Sequence, residues 1–140
     1  MNRLKLIQRV RSMTRDFTNA TFRESDIVDF INEGINRFKQ IIPEVKKEEK
    51  LLVNQQSLKY IPEEFHELLA IYSTSRCFSQ DERHYQATTL MNEFEVKLDE
   101  LREAIDNGLY KIIDPDTGEE ITMGLEAEYV DLYPYWGIKS

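Results

Sequence analysis

The chain has 140 residues, 41% hydrophobic and 31% charged, with a net charge of −8 and one cysteine. That is enough for one domain with a modest core and argues against disorder. No apolar run reaches the length of a bilayer span, and a single Cys excludes an internal disulfide framework, so a cytosolic-type protein with no membrane partner is expected. The N-terminus has no apolar core or small-residue cleavage site of a signal peptide.

The charge is unevenly placed. Residues 1–15 carry five basic and no acidic side chains; subtracting these from the net −8 leaves −13 on the rest. So acidic a body is a poor general binder of nucleic acid, because phosphate neutralisation supplies most non-specific affinity.

From Asn2 to Asp16, Leu4, Ile7, Val10 and Met13 recur every third residue, with Leu6 and Phe17 alongside, which predicts an amphipathic helix with its arginines and lysine mostly on the other face. The next helix is expected to open at Ser25 as N-cap, with Asp26 and Asp29 in its first turn, and to bury Ile27, Phe30, Ile31, Ile35, Phe38 and Ile42 before Pro43 ends it. Gly34 inside it costs about 1 kcal/mol against Ala, which predicts close packing of a neighbour there.

In "LLVNQQSLKYIPEEF" the alternations Leu51/Val53 and Leu58/Tyr60 around a polar centre predict a short β-hairpin or extended pair. Pro62 suits a helix N1 position, followed by Glu63 and Glu64. That third helix should carry Phe65, Leu68, Leu69, Tyr72 and Cys77 inward and stop near Ser79. A long fourth helix, about 81–107, has Tyr85, Leu90, Met91, Phe94, Leu98, Leu101 and Ile105 as its stripe, with Gly108 as C′ residue.

After it, "YKII" and "EITM" flank Asp114-Pro115-Asp116-Thr117-Gly118, a turn by mechanism, and predict a second hairpin. The chain then runs into "EYVDLYPYWGIKS", where Tyr129, Tyr133, Tyr135 and Trp136 crowd into eight positions without a helical or strand period. With Leu132 and Ile138 as aliphatic anchors they are the expected partner-docking residues, since Tyr and Trp give large contact area for little ordering entropy. The organisation read from the chain is a mainly α protein: a small helical bundle over 1–108 with a short β-hairpin insertion, and a hairpin plus extended aromatic C-terminal arm over 109–140.

Catalytic patterns are missing. His66-Glu67 starts a zinc-protease motif, but position 70 is Ala. His84 stands alone, and both histidines are expected at the surface or in capping roles. Asp114 and Asp116 have calcium-loop spacing, yet Gly118 falls one place early. Arg76 beside Cys77 could lower its thiol pKa, though no partner base is identifiable. There is no Gly-rich phosphate loop or nucleophile elbow. The expected role is not enzymatic, with no cofactor and no metal.

Three stretches carry a family resemblance: "FRESDIVDFINEGINRF", with its aromatic lead-in, acidic start and central Asn; "LLVNQQSLKYIPEEFHELLAIYSTSRCF", an extended stretch running through Ile-Pro into a helix; and "YQATTLMNEFEVKLDELREAI", a long last helix with Asn-Glu-Phe. Over roughly residues 20–107 the chain resembles the head-to-tail adaptor (connector) proteins of tailed bacteriophages. It departs in having no Gly-containing turn before Ile61-Pro62. The resemblance implies a helical virion protein in a ring of about twelve copies beneath the portal, joining capsid to tail at the head–tail interface and made in the host cytoplasm. Its implied partners are copies of itself, the portal protein and tail components, with DNA passing through the channel without specific binding. A different reading is a small helical regulatory or nucleic-acid-binding protein that uses the basic first helix.

Overall fold

The helix His66–Gln80 buries side chains on nearly every side, and the rest of the fold is built around it. In the computed structural model, which describes residues 1–16 and 21–122, four helices form a bundle: α1 (Arg3–Thr14), α2 (Glu24–Ile41), α3 (His66–Gln80) and α4 (His84–Asp106). Single 3₁₀ turns, Pro43–Val45 and Glu63–Phe65, follow α2 and precede α3. α3 packs on α1, α2 and α4, while α1 and α4 share no contact. The protein is mainly helical, and no strand forms among the described residues; two isolated antiparallel bridges, Asn2–Ser57 and Ile113–Glu120, are the β pairing seen there.

α3 can sit at the centre because most of its buried polar residues are small hydroxyls that find partners within α3 or on the helices beside it. Ser73 Oγ donates to the Leu69 carbonyl at 2.8 Å, and Ser75 Oγ crosses to the Ala87 carbonyl of α4 at 2.6 Å. Both are buried, so neither hydroxyl is left unpaired in the core. Gly34 of α2 lets α3 approach: a Cβ there would stand 3.1 Å from Cδ1 of Tyr72 and 3.4 Å from Cδ2 of Leu69. Close packing at Gly34 is thus as the sequence suggests.

Several expectations are corrected. In α1 the buried stripe is Leu6, Ile7, Val10 and Thr14, and Leu4 is exposed, because a spacing of three drifts around a 3.6-residue turn. Asn2 is the N-cap there, its side-chain oxygen accepting from the Lys5 amide at 2.9 Å. Ser25 is not the N-cap of α2. Arg23 holds that position and its carbonyl accepts from Asp26 and Ile27, placing Ser25 inside the first turn and Asp29 beyond it. The entry is fixed upstream, where Asp16 accepts from the amides of Thr21 and Phe22 and Arg11 donates to the Phe22 carbonyl at 2.9 Å.

Tyr85 is not part of the α4 stripe; it is 83% exposed, one residue into a helix that starts at His84 rather than 81. Leu90, Met91 and Ile105 flank the buried line of Phe94, Leu98 and Leu101. Pro62 precedes the 3₁₀ turn instead of opening α3. At the end of α4, Gly108 has φ +72° and the pattern anticipated for it: its N–H bonds Ile105 O at 3.1 Å, and Leu109 N–H bonds Ala104 O at 2.8 Å.

The segment 51–60 is not a hairpin. Asn32 of α2 clasps the backbone of Leu51, receiving its N–H at 2.7 Å and donating to its carbonyl at 3.2 Å. Buried Glu48 accepts the amides of Lys59, Tyr60 and Ile61 at 2.7 to 3.0 Å. Side chains on both sides take the bonds that strand pairing would have used. Residues 109–122, expected as the start of an arm, pack back on the body: Ile112 is 1% exposed within the common core, and Tyr110 meets Phe65 edge-on at 5.4 Å. Ile121 N–H bonds Ile112 O at 2.8 Å beside the Ile113–Glu120 bridge, closing the turn as a loop rather than a strand pair.

Candidate assembly surfaces

The residues expected to dock on a partner, Tyr129, Leu132, Tyr133, Tyr135, Trp136 and Ile138, lie outside the described residues.

The residues weighed for chemistry have structural positions. Cys77 is fully buried, and burial pushes its thiol up to about 12 despite Arg11 nearby. Arg76, its sequence neighbour, turns to Glu33 at 3.2 Å and stacks over Phe30. Of the surface and capping roles expected for the histidines, His66 does not take the first: it is buried at the start of α3 and its ring meets a backbone carbonyl. Its Nε2 lies 2.8 Å from the Ile61 carbonyl, which can only accept, so Nε2 carries the proton and Nδ1 faces the Met1 amine as an acceptor. Burial, the largest cause, holds its pKa below the ordinary histidine value. His84 stands exposed at the start of α4. Among the described residues no three His, Cys, Asp or Glu side chains gather in a metal-holding group.

The Asp114–Gly118 loop is a turn held by its own side chains. Asp116 N–H donates to Asp114 Oδ1 at 2.8 Å, and Gly118 N–H to the Asp114 carbonyl at 2.7 Å with φ +74° at the glycine. Asp116 points away from any calcium-like centre to Lys59 Nζ at 2.9 Å, which holds its carboxyl below the usual range.

The basic first helix is largely committed to the body. Arg9 pairs with Glu67 of α3 through two nitrogens, at 2.6 and 3.0 Å. Arg11 pairs with Asp16 at 2.9 Å in a site where both side chains are mostly covered. The Arg3 guanidinium donates to the Leu52 carbonyl. Lys5 and Arg15 remain exposed. Nothing in the sequence marked Arg9 and Glu67 as partners, since they stand 58 residues apart.

Two surfaces stand out. One is a tip where the loop 50–57 is stapled to the first turn of α1. Arg3 N–H bonds Gln56 O at 2.9 Å and Leu4 N–H bonds Asn54 O at 3.1 Å; the Gln56 side chain in turn ties Leu52 N–H at 2.7 Å to Lys50 O at 3.0 Å. This leaves Leu4 together with Leu52 and Val53, 63% and 55% exposed, between the exposed Lys5 and Lys50. The other is a groove of about 390 Å³ between the first half of α3 and the second half of α4. Partly covered Phe65, Ala104 and Tyr110 lie in it over Leu68, Ile71 and Leu101, and Glu64, Glu67, Glu100 and Lys97 form its edge. Sequence reading missed both, because each joins segments distant along the chain.

Comparison with protein-family models, curated proteins and solved structures returned no match.

Proposed function

We propose that this protein is a structural virion component, a head–tail adaptor that forms a ring beneath the portal, joins the capsid to the tail and encloses the DNA exit channel. The observation that carries the reading is the order of features resembling that family: a helix with Asn32 at its centre, a loop running through Ile61-Pro62 into a helix, and a long last helix followed by an aromatic segment. In the assembly the Ile113–Glu120 bridge would extend into the hairpin read from the sequence. Residues 123–140 would act as an arm whose Tyr129, Tyr133, Tyr135 and Trp136, with Leu132 and Ile138, dock on a neighbouring copy or the portal. The role is non-enzymatic and needs no cofactor. A net charge of −8 suits a wall past which DNA slides without specific binding.

The reading is tested by mixing the purified chain with portal rings and imaging by negative stain, with light scattering for stoichiometry. Added density at one end of the portal is the expected result; a chain that forms no ring and leaves the portal bare overturns it. The nucleic-acid reading needs a free basic face, and the pairing of Arg9 with Glu67 and of Arg11 with Asp16 weighs against it. A gel shift at low salt that disappears as salt is raised would revive that reading.

A further inference from the structure

The tip and the groove have opposite chemistry: the tip is formed by the first turn of α1 with the loop 50–57, the groove by α3 and α4. At the tip, Leu4, Leu52 and Val53 offer aliphatic surface flanked by Lys5 and Lys50, neither of which makes an ion pair among the described residues. In the groove, an apolar floor is edged by Glu64, Glu67, Glu100 and Lys97; Glu67 is paired with Arg9, Glu64 accepts from the Tyr110 hydroxyl, and Lys97 faces Glu93 at 3.4 Å. Glu100 at the edge makes no ion pair among the described residues.

We infer that the tip of one copy seats in the α3–α4 groove of the next, Leu52 and Val53 on the floor and Lys50 or Lys5 against Glu100 and Glu64. This rests on the ring-forming role proposed above and names the two surfaces through which copies join. The alternative occupant, the chain's own residues 123–140, brings Glu126, Glu128 and Asp131 against a single Lys139, and would put like charges on an acidic edge. Charge complementarity therefore selects the tip.

The contact is heterologous: one patch meets a different patch, so an open assembly always keeps one free tip and one free groove. Such contacts close into a ring when the rotation between copies permits and otherwise grow open-ended. The apolar area on offer is small for a stable interface, so a single contact is weak and assembly is concentration- and salt-dependent.

Sedimentation velocity of the full chain, up to about 1 mM at low salt, tests this. The wild type is expected to associate beyond a dimer. Lys50→Glu and Glu100→Lys should each weaken association about tenfold or more, and the double variant should recover much of it. Leu52→Glu with Val53→Glu should abolish it while thermal unfolding, read by circular dichroism, stays cooperative, since both side chains are exposed. Mixing that tip variant with Glu100→Lys should cap growth at a one-to-one dimer, because only one competent tip and one competent groove remain. A chain that stays monomeric throughout overturns the inference, and capture on portal rings then reads the adaptor role independently. Association untouched by the tip and groove variants overturns it too, leaving ring formation standing. Association lost in Tyr133→Ser with Trp136→Ser, but kept in the tip variant, assigns the groove to the tail and also overturns it.

Discussion

Glu48 Oε1 lies 2.8 Å from the backbone nitrogen of Ile61, and the same carboxylate takes the amides of Tyr60 and Lys59. Three consecutive N–H groups converge on one buried side chain. This is how a loop with no strand partners satisfies its backbone and delivers the chain to α3. Glu48→Gln keeps the shape but replaces one acceptor oxygen by a donor facing N–H groups. It should cost about 1–3 kcal/mol, and Glu48→Ala, which orphans all three amides, more. Urea unfolding with an unchanged slope would read the loss; a shift within error would show that water replaces the carboxylate.

Gly34→Ala sets two effects against each other. Helix propensity favours alanine by about 1 kcal/mol. The added Cβ would stand 3.1 Å from Tyr72, whose ring packs edge-on against Phe94 at 5.1 Å and whose hydroxyl bonds Glu33 at 3.2 Å, so the ring is held from two sides. Overpacking of that kind costs about 1–3 kcal/mol, and the net expectation is a loss of about 1 kcal/mol. Combining it with Tyr72→Ala should turn the alanine favourable, which a double-mutant cycle would measure.

His66 gives stability a pH dependence. Its folded pKa is held below the unfolded value by burial, so the unfolded chain binds more protons in that range. Its share of stability is fully present above the unfolded pKa of about 6.5 and is lost as pH falls from there through the lower folded value, at no more than about 1.4 kcal/mol per pH unit. Thermal melts between pH 8 and 5 should show a declining Tm below the upper part of this window. His66→Gln, which can still donate to the Ile61 carbonyl, should flatten it; an unchanged slope would place the titration elsewhere.

Glu82 closes α3 at φ +60°, its N–H on Ser79 O at 3.2 Å and that of Arg83 on Phe78 O at 2.8 Å. A left-handed residue with a Cβ is strained by about 1–2 kcal/mol, part of which glycine returns as unfolded-state entropy. Glu82→Gly should therefore stabilise by about 0.5–1 kcal/mol, read as a rise in Tm. A fall would show that the Glu82 side chain contributes more than its backbone strain costs.

The helices were legible where one face is apolar and the other polar. Ile27, Ile31, Ile35 and Phe38 announce α2, and Phe94, Leu98 and Leu101 announce α4, because a 3.6-residue turn stacks those positions on one face. α3 was the hardest to read: its core positions include Ser73, Thr74 and Ser75, whose hydroxyls find the Leu69 carbonyl, Met13 Sδ of α1 and the Ala87 carbonyl of α4 respectively. The alternation in 51–60 misled for a related reason. Period two marks a residue's sides, and Asn32 and Glu48, not a second strand, supplied the partners.

Determined by the sequence alone were the helical class, the amphipathic faces of α2 and α4, the stop at Gly108 and the close approach at Gly34, all of which depend on local spacing or on a missing Cβ. Tertiary structure alone decided that Arg9 and Arg11 are consumed by Glu67 and Asp16, that Ile112 returns to the core, and that Leu4 is bonded to Asn54 of the loop 50–57. Arg9 and Glu67 stand 58 residues apart, and Leu4 and Asn54 belong to different segments. Pairings of that kind are set by how the helices pack around α3, and no local pattern in the chain encodes them.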